Sequence, residues 1–242
     1  MRWFPLLAVI LTGCASAGSD GGNPGTDGNP GTDGTTIDAR LVDAAPTIDA
    51  AVMATLSQTT NTTIAAANSV SCFNNTTGET RDNSWYRAFS PSEHGVMNRP
   101  LHVSKVTFAI QESKGSVAVQ VKIGSYAGAL GTTTLNLAQI TPINSATVTV
   151  PPTTTGVSVD APIVATIPAN TNFVVEVFSP DLAGTTNHNF IGASNGGQTR
   201  PGYIRSTACG FTNPHNIAAS STTPSYPGFP NSHILIAVTG TH

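Results

Sequence analysis

From about residue 100 the chain alternates between apolar and polar positions. In 105–110, Val106, Phe108 and Ile110 are spaced by two. In 116–126, Val117, Val119, Val121 and Ile123 share one face, with Ala118, Gln120 and Lys122 on the other. Phe173, Val175 and Val177 oppose Val174, Glu176 and Phe178 in the same way, and Ile234, Ile236 and Val238 repeat the pattern near the end. A period of two is the mark of a strand with one buried face. Weaker alternation predicts strands over 69–73, 84–89, 145–150, 157–167, 189–193 and 202–206. Turn-forming residues separate these runs: Gly115, Pro151-Pro152, Pro168-Ala169-Asn170, Gly196-Gly197 and Pro230-Asn231. About nine or ten short strands at this spacing predict an all-β fold, an antiparallel β-sandwich that is jelly-roll-like. One helical signal interrupts them. Ser90-Pro91-Ser92-Glu93 reads as a capping box with proline at the first helical position, and Gly95 ends it within a turn.

The first 54 residues follow a different pattern. Arg2 is a positive start, and Trp3 to Leu11 form an apolar run of about nine residues, well short of the roughly 20 that span a bilayer. Leu11-Thr12-Gly13-Cys14 follows. A charged start, a short apolar run and small residues at the cut are the parts of an export signal. The four residues resemble the lipobox of bacterial lipoproteins. That resemblance implies a signal peptide over 1–13, cleavage before Cys14, and acylation of Cys14 at its thiol and new amino group. One acyl chain holds a protein marginally, at about 0.8 kcal/mol per buried CH₂, whereas several chains hold it permanently. Ala15 and Ser16 stand where an aspartate would favour the inner membrane, so the resemblance implies the outer membrane.

Residues 14–54 then carry the lipidated cysteine and a spacer. GNPGTD occurs twice, at 22–27 and 28–33, and apolar-Asp-Ala units follow at Ile37, Val42 and Ile48. Gly, Pro, Asp and Thr at this density bury too little apolar surface to offset chain entropy. As a random coil, about 40 residues reach about 35 Å end to end, enough to lift a domain off a lipid surface. Residues 55–242 are left as a single sandwich domain with room for one core.

Charge follows this division. Of 13 acidic residues six lie in the spacer, and the remainder of the chain is close to neutral. Nothing in it resembles the basic field that nucleic acid requires. With Cys14 lipidated, Cys72 and Cys209 remain. An even pair in an exported chain predicts a disulfide, here one joining the 69–73 segment to a point near the end.

Candidate chemistry is sparse. Gly192-Ala193-Ser194-Asn195-Gly196 matches the G-x-S-x-G elbow, but Gly197 to Gly202 cannot form the helix that an elbow needs, and no acid follows Ser194 in the chain. The six histidines form no zinc motif, and His233 is expected to point outward beside core-facing Ile234. Oxygen ligands for calcium are candidates in 79–83, through Asp82, and in 179–187, through Asp181. No other metal or cofactor is expected. Trp85-Tyr86 places one ring on each face of a strand, so one of them is a candidate stacking platform for sugar, joined by Tyr203 and with Tyr226 and Phe229 in reach.

NSWYRAF (83–89), VSKVTFAIQ (103–111), ATIPANTNFVVEVFSP (165–180), FIGASNGGQTRPGYI (190–204), Cys209 and FPNSHILIAVTG (229–240) together resemble a module that recurs in bacterial secreted and surface-anchored proteins. The resemblance implies a β-sandwich on the cell envelope and brings no catalytic residues. The expected function is therefore a membrane-anchored lipoprotein whose non-enzymatic sandwich binds carbohydrate or another surface ligand. A polysaccharide- or peptide-acting enzyme and a structural part of an envelope complex are the alternatives. Clustering of Glu176, Asp181 or Asp82 in one cleft would favour the enzyme.

Overall fold

The computed structural model describes residues 51–242. The expected signal peptide, Cys14 and nearly all of the spacer lie outside the described residues. The first strand begins earlier than the composition suggests: β1 (Met53–Ser57) starts two residues before the expected domain boundary, with Leu56 fully buried. Then come β2 (Asn83–Phe89), β3 (Leu101–Lys114), β4 (Val117–Tyr126) and β5 (Ile140–Val150). β6 (Val157–Ile167), β7 (Phe173–Ser179), β8 (His188–Ile191), β9 (Ala193–Ser194) and β10 (Gly202–Ser206) follow. The chain closes with β11 (Phe211–Asn216), β12 (Ser221–Thr222), β13 (Ser225–Tyr226), β14 (His233–Ile234) and β15 (Ile236–Thr241).

Two antiparallel sheets face each other. One runs β1-β15-β3-β6, with β8 pairing the C-terminal part of β3; the other runs β11-β10-β2-β7-β4-β5. From β3 to β7 the chain passes between the sheets three times, which is jelly-roll-like winding. The alternation read from the sequence settles the faces. Val117, Val119, Val121 and Ile123 of β4 and Phe173, Val175 and Val177 of β7 meet Val106, Phe108, Ile110, Ile236 and Val238 in one core. Each such side chain contributes about 1.5–3 kcal/mol of burial.

Two local expectations fail for physical reasons. Residues 69–73 form no strand, because beyond one bridge from Phe73 to Thr80 and a bond from Arg81 N to Cys72 O their backbone is held by side chains. Val70 O accepts from Trp85 Nε1 at 2.8 Å, and Cys72 N donates to Asn83 Oδ1 at 2.7 Å. Pro91–His94 is a single 3-10 turn closed by Gly95 at φ 79°, but its capping box is not made. Ser90 Oγ lies 3.0 Å from Ser92 Oγ, and Glu93 pairs with Arg200.

Cys72 and Cys209 form the expected disulfide, with Cα atoms 6.0 Å apart across 137 residues of chain. It ties the irregular 69–73 segment to the turn between β10 and β11. In the chain-entropy account a loop of that length stabilises by about 5 kcal/mol.

Candidate functional site

The outer face of the six-stranded sheet is not simply a wet surface. The connection between β4 and β5 folds back over one part of it, and Leu135 joins Tyr86, Ala88, Tyr126, Val174 and Tyr203 in a second apolar cluster. Beside this roof the face stays open as a groove of about 580 Å³. Strand register builds its floor. Tyr203 lies opposite Tyr86, Tyr86 opposite Glu176, Glu176 opposite Lys122, and Lys122 opposite Ser145. Directly opposed residues share a face, so these side chains form one row across five strands.

The row is bonded through its carboxylate. Glu176 Oε1 accepts from Ser84 Oγ at 2.7 Å and from the Tyr86 hydroxyl at 3.1 Å. Lys122 Nζ lies 3.2 Å from Glu176 Oε2 and 5.2 Å above the Phe178 ring. Burial, and then the negative charge of Glu176, push the Tyr86 phenol well above its ordinary pKa. Gln120, Asn144 and Ser145 add amides and a hydroxyl to the walls, while Leu137, Ile140, Pro142 and Ile143 supply apolar surface. A fixed carboxylate, an ammonium, amides and apolar walls can hold a polar ligand. The lining contains one carboxylate, Glu176, and that group is engaged by three donors.

The residues expected to bind ligand are placed differently from the expectation. Trp85 is fully buried, facing the core with its indole N–H bonded to Val70, so the stacking platform expected there is absent. Tyr86, the other member of the pair, is 1% exposed and belongs to the roofed outer cluster, reaching the groove only as wall. Tyr203 is equally buried, and burial raises its phenol pKa. Tyr86 and Tyr203 are buried for one reason: the outer sheet face that would have displayed them is covered by the β4–β5 connection.

The two stretches considered for calcium come together, but their carboxylates are already partnered. Asp82 accepts from Ser206 Oγ at 3.1 Å, Thr207 N at 3.0 Å, Thr207 Oγ1 at 2.7 Å and Ala208 N at 3.1 Å. Burial raises the Asp82 pKa, but the bonds from Thr207, Ala208 and Ser206 outweigh it and hold the group below its usual range. Asp181 caps Ala183 N at 2.9 Å and lies 3.6 Å from Arg81. Glu79 bridges the two stretches, accepting from Thr186 N at 2.9 Å and Thr77 Oγ1 at 3.0 Å. Calcium takes six to eight oxygens. Here backbone N–H groups and the Arg81 cation occupy the carboxylates that would begin such a set, and among the described residues no three His, Cys, Asp or Glu side chains cluster.

Ser194 is fully buried in β9, opposite His233 of β14. His233 is buried as well, against the expectation that it points outward. Its Nδ1 accepts from Gly197 N at 2.9 Å and its Nε2 donates to Pro230 O at 2.9 Å. Both ring nitrogens are thus engaged with backbone, and neither is left to activate the serine. Asp82 and Asp181 do not line the groove that holds Glu176. What sequence reasoning overlooked was the Tyr86–Glu176–Lys122 alignment. The signal was available: Glu176 is the one charge in an apolar strand, on the same outward side as Lys122 in its own strand.

No family profile matches this chain, and no curated protein matches it. Among solved structures it is similar to the cysteine protease and lectin-like domains of Cwp84, a surface-layer-associated protein of Clostridium difficile, at 12% identity and a TM-score of 0.46. The match covers 67% of this chain and 33% of that one, so the chain spans about a third of that protein's length.

Proposed function

We propose that this chain is a bacterial envelope lipoprotein, acylated at Cys14 and held at the outer membrane, whose β-sandwich binds a hydroxyl-rich surface ligand such as a glycan without transforming it. The observation that carries the binding part is the Tyr86–Glu176–Lys122 row flooring a groove of about 580 Å³, a volume within the usual range for ligand sites. Sugars offer hydroxyls that both donate and accept. The second oxygen of Glu176, the Lys122 ammonium, the Gln120 amide and the Ser145 hydroxyl offer complementary partners on a prearranged surface. The non-enzymatic reading is supported by the single carboxylate in the lining, since glycoside hydrolysis uses two flanking the bond. The anchor reading is supported by the lipobox and by the Gly/Pro/Asp spacer behind it.

Two experiments test the parts separately. Mass spectrometry of the envelope-extracted chain should find an N-terminal cysteine carrying acyl groups, and an unmodified N-terminus would remove the anchor. A glycan array probed with the same chain and with Glu176→Gln should show binding that the variant loses. Equal binding by both proteins would move the site elsewhere.

A further inference from the structure

A second cavity, of about 340 Å³, opens beside the disulfide. Register places it far from where the chain enters the domain. Val52 is bonded in both directions to His242 at 3.0 Å, at the end of the sandwich holding Met53, Thr241 and His102. The cavity lies toward the other end, where β3 turns into β4 and where Ser206 pairs with Phe211. Its back is the Cys72–Cys209 bridge with Val70 and Ile204.

Its rim carries two aromatic rings that would ordinarily be buried. Phe73 is 45% exposed and Phe229 43%. Single exposed apolar residues are commonplace, but these two line one cavity, and each is braced from behind. Phe190 meets Phe73 edge-on at 5.6 Å, and Tyr226 meets Phe229 edge-on at 5.3 Å. Tyr226 is itself fixed, its hydroxyl donating to Ile217 O at 2.9 Å and its ring set against Phe211 at 5.2 Å. The rings are therefore held in place before any ligand arrives, which lowers the ordering cost of binding.

The polar part of the lining narrows the ligand class. Ser69, Ser71 and Ser225 put hydroxyls among the rings, and no lining side chain is charged. An ionic ligand would meet no counter-charge there. A purely apolar one would cover the Ser225 hydroxyl and the unused hydrogen-bonding capacity of the Ser69–Ser71 pair, whose Oγ atoms lie 3.2 Å apart, at about 1–3 kcal/mol for each group left buried and unpaired. A pyranose ring has both surfaces: C–H patches for the aromatic faces and equatorial hydroxyls for the serines. We infer that this aromatic cleft is a second ligand site, independent of the Glu176 groove, which takes a neutral pyranose ring between Phe73 and Phe229.

Saturation-transfer difference NMR on the envelope-extracted chain tests this, with neutral disaccharides of glucose, galactose and N-acetylglucosamine as probes. At least one should receive saturation, and titration should give an affinity that falls about tenfold in Phe73→Ala and in Phe229→Ala. Both rings are solvent-exposed, so these variants should fold, and an unchanged melting temperature confirms it. A third variant, Ser225→Trp, should block the cavity without removing either ring. Glu176→Gln should leave this binding unaltered, which separates the cleft from the groove. Transfer to none of the sugars, transfer undiminished in both phenylalanine variants, or transfer abolished by Glu176→Gln alone would each overturn the assignment.

Discussion

The main-chain carbonyl of Ile234 receives two hydrogen bonds from the Arg87 guanidinium, from Nε at 3.1 Å and Nη2 at 2.6 Å. The remaining nitrogen, Nη1, donates to Gln198 Oε1 at 2.7 Å and to Arg200 O at 2.6 Å. Arg87 is fully buried, and these bonds engage four of its five N–H donors, all with neutral oxygens. Burial lowers its pKa to about 9, so it keeps its charge at neutral pH. The fork thus joins β2, in the middle of the six-stranded sheet, to β14 and to the 197–201 connection. Of the oxygens it serves, Ile234 O is buried with it, while Gln198 and Arg200 are partly exposed.

Removing that fork should therefore be costly. Arg87→Ala leaves two carbonyls and an amide oxygen without donors, and the expected loss is about 3–5 kcal/mol. Arg87→Lys, a point charge with no planar fork, should recover only part of it. Urea denaturation followed by circular dichroism measures both, and a loss below about 1 kcal/mol for the alanine variant would contradict this role.

The disulfide has a simpler consequence. Cys72 lies in a segment outside both sheets, where the covalent tie supplements the bonds its backbone makes with Asn83 and Arg81. The double variant Cys72→Ala/Cys209→Ala should lose about 3–5 kcal/mol. Hydrogen exchange should rise first over 69–73 and 207–211, ahead of the central strands.

Acid sensitivity should centre on Asp82. Its folded pKa lies below the unfolded value near 3.8, so the folded state binds fewer protons there. The stabilisation is complete above about pH 4 and is lost as pH falls through the lowered folded value. Asp82→Asn should consequently be less stable than the parent at pH 7, and the difference should shrink below pH 4. Thermal melts across pH 2–7 would reveal it, and a gap that stayed constant or widened in acid would refute it.

Gly228 offers a test of the loop that carries Phe229. Its φ of 76° lies in the left-handed region, and an added Cβ would sit 2.7 Å from Ala218 O and 2.9 Å from both Ala219 C and Ser220 N. Neither the torsion nor the neighbouring backbone can yield cheaply. Gly228→Ala should cost about 2–3 kcal/mol and weaken binding at the aromatic cleft along with stability. A variant as stable as the parent would show that this loop adapts more readily than its contacts suggest.

Much of the scaffold is legible in the sequence. A period-two pattern such as that of β4 or β7 leaves one face apolar, and an apolar face must be buried, so the all-β sandwich and its core residues follow from the chain alone. The disulfide followed as well, from the two cysteines left once Cys14 is set aside as the expected lipidation site in a chain read as exported. The weakly patterned parts were not legible. β1 hid at the edge of a spacer-like composition, and 69–73 alternates like a strand although its backbone bonds go to Trp85 and Asn83.

Function was the least legible part, for a definite reason. Sequence alternation assigns Trp85 and Tyr86 to opposite faces but cannot say which face meets water. Only the tertiary structure decided that the core takes Trp85 and that the β4–β5 connection roofs Tyr86 and Tyr203. Likewise no local spacing announces that Glu176 meets Lys122 and Tyr86, or that Phe73 and Phe229, 156 positions apart in the numbering, line one cavity. Local pattern determines which side of a strand is buried only where the alternation is clean, as in β4, and not in β2, which is buried on both faces. Sites are assembled by long-range register and by loops crossing a sheet, and those are properties of the folded chain.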